Sequence, residues 1–260
     1  MQLAVLSDVH GNLSALEAVL NDLASVGAVD KIWVLGDLAY LGPQPAECVA
    51  RLMDLRAAHP EGVVQFVSGN TDRWLVTNKM PELPAAEDAA ALAQRIARMR
   101  EHAAVHTWTL EQLSWEQYAF LASTIGQELT LNVRDFGTVI GFHAIPGDDE
   151  SMALRHDSPD EEAADALLDR EGRLALAGHT HVRMDRTVGR WRVVNPGSVG
   201  FSFTQAGMAE WALLRFEEGA ATVDLRAVPF STQEVLHAAQ ERQHPALETL
   251  YKRLNPAPKS

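Results

Sequence analysis

The chain has 260 residues, 47% of them apolar and 22% charged, so it can bury a sizeable core and is too apolar for a disordered polymer. Its net charge of −13, from 35 acidic residues against 22 Lys and Arg, argues against a sequence-independent grip on nucleic acid or on an anionic membrane surface. The single cysteine, Cys48, excludes an internal disulfide, no run of 18 apolar residues occurs and strand texture begins at once, so a cytoplasmic protein is expected.

The first 75 residues repeat one pattern: a short apolar run, a polar or glycine-rich turn, then a segment of helical period. Residues 3–6, 32–35 and 63–67 read as strands and 12–26 and 45–56 as helices, with Cys48 buried in the second helix. This alternation makes βαβ units with a parallel sheet, and ligands of open α/β sheets gather at the carboxyl ends of the strands. Over about 78–126 the texture turns helical in EDAAALAQRIARMREHA and SWEQYAFLAS, the second with a capping signal, so a helical cap insertion is expected. Its aromatic residues Trp108, Trp115, Tyr118 and Phe120 read as packing groups. Strands return over 128–143, with RDFGT as the turn between two of them. A helix is expected at 159–170, short strands over 174–230, and one polar C-terminal helix over about 231–254 that frays in NPAPKS. No repeat or low-complexity linker interrupts the chain, so residues 1–260 read as a single domain.

Chemistry-bearing residues stand just past the apolar runs: Asp8 and His10 in SDVHGN, Asp37 in GDLAYLGP, Asn70 in GNTD, His143 in GFHA, and His179 and His181 in GHTH. Any one of them alone is ordinary, since an Asp after a strand is usually a turn or cap residue and a lone His is more often a satisfied core group. Collected on one sheet edge, carboxylate, amide and imidazole donors together suit borderline divalent ions such as Mn, Fe, Zn, Ni or Co, whereas calcium takes oxygen alone. Asp8 and His10, like His179 and His181, are two residues apart, and an extended chain projects such a pair to one side. Two ions sharing a carboxylate make the clamp used for in-line displacement at phosphorus.

The ordered series DVHGN, GDLAYLGP, GNTD, GFHA and GHTH resembles the calcineurin-like metallophosphoesterase superfamily, whose pattern is D-x-H, G-D, G-N-H-D/E, H and G-H-x-H. The GP after the second motif and NPGSVG after the last resemble its small prokaryotic phosphoesterase branch. The resemblance implies a four-layer α/β/β/α sandwich and two divalent ions, manganese first, with iron, zinc, nickel or cobalt as alternatives. It implies one ion at Asp8, His10 and His181, a second at Asn70, His143 and His179, and Asp37 between both. The implied reaction is hydrolysis of a phosphodiester or small phosphomonoester by attack of a metal-bridging hydroxide. A metal-dependent nuclease is an alternative, but Lys and Arg are too sparse and scattered for a basic groove. A non-catalytic metal-binding regulatory module is another, against which the complete donor set counts.

The sequence departs from that pattern where the GNH motif reads GNT. The Thr71 hydroxyl can donate a hydrogen bond but cannot act as a cationic acid. Asp37 and Asn70 are the principal catalytic candidates, with Thr71 and Asp72 beside them. Asp72 reads as a cap accepting backbone N–H groups, or as support for a metal-bound histidine, ahead of direct catalysis. Arg73 reads either as a fork for a substrate phosphate oxygen or as a salt-bridged surface group. Ala144 stands where the family commonly has Gly, and Asp148 and Asp149 read as substrate contacts or as loop solvation. NPGSVG, residues 195–200, reads first as a tight turn joining two strands. His59, His102, His106, His156, His237 and His244 read as surface or packing residues.

Overall fold

In the computed structural model, which describes residues 1–80 and 83–255, strands and helices alternate through β1 (Gln2–Leu6), α1 (Leu13–Ser25), β2 (Lys31–Leu35), α2 (Pro45–Ala57), β3 (Val64–Val67) and α3 (Asn70–Thr77). Helices α4 (Ala89–Gln112) and α5 (Trp115–Thr124) follow, then β4 (Leu129–Val133), β5 (Gly137–Gly141), α6 (Asp160–Asp165), β6 (Leu174–Leu176), β7 (Met184–Val188), β8 (Trp191–Asn195), β9 (Met208–Glu217), β10 (Ala220–Pro229), α7 (Thr232–Glu241) and α8 (Leu247–Leu254). Residues 81–82 of the expected insertion and 256–260 of the expected frayed end lie outside the described residues.

The strands form two five-stranded sheets, ordered β10-β9-β1-β2-β3 and β4-β5-β6-β8-β7. Side-chain period 2 sorts each strand between two cores. Leu3 and Val5 of β1, Trp33 and Leu35 of β2, and Leu174 and Leu176 of β6 fill the space between the sheets. Their neighbours Ala4, Leu6, Ile32 and Val34 face α1, α2, α3 and α5, whereas Ala175 and Val193 face α6 on the other side. Both faces of both sheets are therefore covered, which is why the strands read as continuous apolar runs, and the result is the α/β/β/α sandwich.

Several expectations need correction. The sheets are mixed: β1, β2, β3 and β5, β6, β8 pair in parallel, but β9, β10, β4 and β7 pair antiparallel. Strands β9 and β10 form one long hairpin of ten residues each, not short strands. The helix expected at 159–170 stops at Asp165, where an acidic end works against the helix dipole. The expected C-terminal helix is two, broken where Gln243 takes a φ of 52° and Pro245 lacks an N–H. Helix α5 joins the outer core through Phe120 and Leu121, with the Phe120 ring edge-on to Phe66, and α4 joins it through Val105 while lining the cavity described below. Cys48 is buried in α2 as expected. Among the described residues, no helix is long and apolar enough to cross a membrane.

Candidate metal centre

The loops that leave β1 and β2 continue side by side beyond the sheet. The amides of Asp8, His10 and Gly11 donate to the carbonyls of Gly36, Asp37 and Leu38 at 3.0, 2.8 and 3.0 Å. An extended chain is not what orients the donors: Asp8, His10, Asp37, His179 and His181 all have positive φ, between 51° and 66°. Side chains pay for that left-handed backbone in strain, which persists only where surrounding bonds over-determine it, and such residues cluster at functional sites. NPGSVG supplies much of this restraint. It is not a tight turn but the crossover from β8 in one sheet toward β9 in the other, and it passes behind the site. Its Val199 and Gly200 amides donate to Ser7 and Asp8 carbonyls at 2.9 and 2.8 Å, and Ser198 Oγ donates to Asp8 O at 2.8 Å.

Each aspartate has one oxygen tied down and one aimed inward. Asp8 Oδ2 accepts from His179 N at 3.0 Å, whereas Oδ1, buried and without a hydrogen-bond partner, faces His181 Nε2 at 3.2 Å. Asp37 Oδ1 accepts from the Thr71 amide at 2.9 Å and the Thr71 hydroxyl at 2.7 Å. Its Oδ2 lies 3.4 Å from His10 Nε2 and 3.6 Å from His143 Nε2, so it stands between two groups of donors. Asn70 Oδ1 completes the second group, 3.1 Å from both His143 Nε2 and His179 Nδ1.

The imidazoles are oriented by carbonyls. Nδ1 of His10, His181 and His143 donates to the carbonyls of Tyr40, Phe201 and Leu35 at 3.0, 2.8 and 2.6 Å. A carbonyl only accepts, so Nδ1 bears a proton, and the tautomer able to bind an ion is the one that turns a bare Nε2 inward. His10 Nε2 and His181 Nε2 then face each other at 3.0 Å with Asp8 Oδ1 beside them. Lone pairs converge on lone pairs, and a cation about 2.0–2.2 Å from each is what such an arrangement fits. Asp8, His10, Asp37 and His181 place one donor atom each within 4.8 Å of one another.

Burial opposes the charge on Asp8 and Asp37, yet the facing imidazoles hold both below the usual carboxylate range. Burial also drives His10 down to about 4 and His179 below its ordinary value, so both rings are neutral at pH 7. His143 differs: burial opposes its charge, but Asp37 and Asp8 carry it above the ordinary value.

Asp72 is wholly buried and faces away from the donors. It accepts from the amides of Gly69 and Leu38 at 3.0 and 2.9 Å, tying the start of α3 to the loop after β2. Burial and the neighbouring Asp37 push it up to about 7. Arg73 takes its salt-bridged reading: its fork holds Asp149 at 2.8 Å and Glu150 at 2.6 Å, and it lines a second cavity that also touches His143, not the one over the other candidate ligands. Asp149 is thereby engaged, and Asp148 Oδ1 accepts the Glu150 amide at 2.9 Å.

A cavity of about 260 Å³ opens over His10, Asp37, Asn70, Thr71, His179 and His181. Its walls include Tyr40, Trp74, Phe203, and Glu101 and His102 of α4, together with Thr249 and Arg253 of α8. Sequence reasoning missed these residues: His102 reads as packing and Arg253 as part of a polar tail. The only signal for the latter is the apolar spacing Leu247, Leu250, Leu254, which buries one side of α8 and sets Thr249 and Arg253 on its flank.

The calcineurin-like phosphoesterase superfamily domain matches residues 1–219, and the chain belongs to that family. The chain is similar to a metallophosphoesterase from Sphaerobacter thermophilus, with TM-score 0.69 and 26% identity over 98% of both chains. It is also similar to the hypothetical protein PH1004 from Pyrococcus horikoshii OT3, with TM-score 0.78 and 22% identity over 97% of both, a likeness of fold. A stretch of 53 residues is 51% identical to the uncharacterized protein MJ0912 of Methanocaldococcus jannaschii, covering 20% of this chain and 21% of that one. The match thus spans about a fifth of that curated relative's length. The family is metal-dependent, and the cluster of possible ligands described above accords with membership.

Proposed function

We propose that the chain is a dinuclear metal-dependent phosphoesterase acting on phosphodiesters or small phosphomonoesters. The observation that carries this reading is Asp37 Oδ2, set 3.4 Å from His10 Nε2 and 3.6 Å from His143 Nε2, so that one carboxylate oxygen serves two donor groups. Asp8, His10 and His181 would hold one ion and Asn70, His143 and His179 the other, with manganese the first candidate. When bound, the ions supply Lewis acidity, making a water nucleophilic at neutral pH and offsetting charge on the phosphoryl oxygens.

The chain's own residues set the geometry of that chemistry. Thr71 fixes Asp37 through Oδ1 and leaves Oδ2 directed inward. The carbonyls of Tyr40, Phe201 and Leu35 fix which imidazole nitrogen would be offered to an ion. The Thr71 hydroxyl is committed to Asp37, so no acid stands there to protonate a departing alkoxide. Activated aryl phosphodiesters should therefore be hydrolysed faster than simple alkyl monoesters.

The test is metal-free protein reloaded with Mn, Zn, Fe, Ni or Mg and assayed on both substrate types. Two bound ions per chain and hydrolysis lowered at least about 100-fold by Asn70→Ala or His143→Ala, with the fold kept, are expected. Unchanged activity in those variants rejects the ligand assignment, and equal or faster alkyl monoester turnover rejects the leaving-group argument. Faster cleavage of single-stranded DNA than of small diesters would instead favour a nuclease.

A further inference from the structure

Arg253 lies on α8, beyond the residues that match the family domain, yet it lines the cavity over the candidate metal site. Helix register puts it there. Leu250 and Leu254 are buried in the helical core layer, while Thr249 and Arg253, four residues apart, share the flank that meets α4. Thr249 Oγ1 donates to Glu101 Oε1 at 2.9 Å, which seats that flank against the cover helix. The break before α8 is held as well, with the His244 ring edge-on to Trp108 of α4 at 4.7 Å.

What Arg253 lacks is a carboxylate in contact: Glu101, held by Thr249 on the same cavity wall, acts on it only through its charge. Arg73, Arg183, Arg226 and Arg242 each hold a carboxylate. Among the described residues Arg253 has no ion pair or hydrogen bond, and its contact is the ring of Phe203, 5.8 Å from Cζ. A half-buried guanidinium whose N–H donors have no acceptor is costly, and its planar fork fits phosphate oxygens in pairs. Among the described residues it is also the one Lys or Arg lining this cavity, in a chain of net charge −13. Burial holds Arg253 below its ordinary value, opposed first by the Glu101 charge and then by that of Asp37, and the Arg253 charge in turn is the least of the influences that hold His10 low.

We propose that Arg253 is the chain's own phosphate-binding residue: its guanidinium takes a phosphoryl oxygen of the bound ester on the side of the cavity opposite the metal ligands. This rests on the phosphoester-hydrolase reading above and adds to it that α8 is part of the active site. The anion is then gripped from the sandwich edge below and from α8 above, and the Thr249 to Glu101 contact positions the upper grip.

The test compares Arg253→Met with wild-type protein, both loaded with manganese, in two measurements: steady-state hydrolysis of bis(p-nitrophenyl) phosphate and calorimetric binding of inorganic phosphate. The expected result is a rise in KM of about 10-fold or more, a kcat within a few-fold of wild type and a similar loss of phosphate affinity. Metal stoichiometry and melting temperature should stay unchanged, as they should with all affinities in Lys252→Met, a neighbouring exposed position. Arg253→Lys, which keeps the charge without the fork, should recover part of the affinity, whereas Arg253→Gln should not; this pair gives the same readout if the Met variant folds poorly. KM and phosphate affinity within two-fold of wild type would overturn the proposal, as would losses that track a fall in bound metal. If wild-type protein hydrolyses no phosphoester, the functional reading falls, and the phosphate titration still decides the role of Arg253.

Discussion

At the sandwich edge, the donor residues are placed by backbone: five of them sit at positive φ, and three amides of one loop pair with three carbonyls of the next. Over the cavity, α4 and α8 are placed by side chains: Trp108 against His244, Thr249 on Glu101, Leu250 and Leu254 in the core. Behind the donors the edge is tight: a Cβ added at Gly36 or Gly42 would stand 2.2 Å from the Gly69 amide nitrogen or 2.1 Å from the His10 carbonyl. The cover can lose a contact and shift, because its elements touch through groups with rotamers of their own. A rigid edge suits a site that holds donor atoms about 3 Å apart, and an adjustable cover would suit the proposed entry and release of an anion.

The sharpest way to break this contrast is Gly69→Ala. A Cβ there would stand 2.0 Å from Asp37 Oδ1 and 2.5 Å from the Asp37 amide, so the strand end must move. A loss of about 3 kcal/mol in urea unfolding, together with loss of tight metal binding, is expected. A variant that keeps both would show the edge to be as adjustable as the cover.

Next in size is the acid response of the cover. Burial lowers His244 to about 4, partly offset by the Leu41 carbonyl. The folded value lies below the unfolded value near 6.5, so the unfolded chain binds more protons between the two. His244 therefore contributes stability above pH 6.5 that is lost as pH falls toward 4, by about 2–3 kcal/mol. Unfolding midpoints of metal-free protein across that window should fall less steeply in His244→Asn than in wild type. Equal slopes would mean that the ring is not buried neutral.

The smallest effect concerns the join between strand end and helix. Thr71→Val removes the 2.7 Å hydroxyl bond to Asp37 while the amide bond to the same oxygen remains. A cost of about 1 kcal/mol to the metal-free protein is expected, read from the shift in thermal midpoint. No change would leave Asp37 held by the amide alone.

Much of the fold was legible in the sequence because strands covered on both faces must be apolar throughout, and glycine and polar turns mark their ends. The five helices and strands of the first 67 residues fall within one or two residues of expectation. The seven candidate positions were legible as a group for a related reason: each is an Asp, Asn or His, and its place just after a strand is a local feature. Their left-handed backbone was not legible, since two residues at spacing two look extended until the facing loop and the NPGSVG crossover pull them into register. The partners of Arg73 were hidden as well, because Asp149 and Glu150 lie 76 and 77 residues away along the chain.

By itself the sequence determined which residues could offer a donor atom, the order in which strand ends present them, and the burial of the sheets, all properties of residue type and short-range period. Only the tertiary structure decided that Asp37 stands between two groups of donors, that Arg73 is already paired, and that Arg253 comes to the mouth of the same cavity. These are contacts between residues tens to hundreds of positions apart, and the packing of whole layers, not local preference, sets such distances.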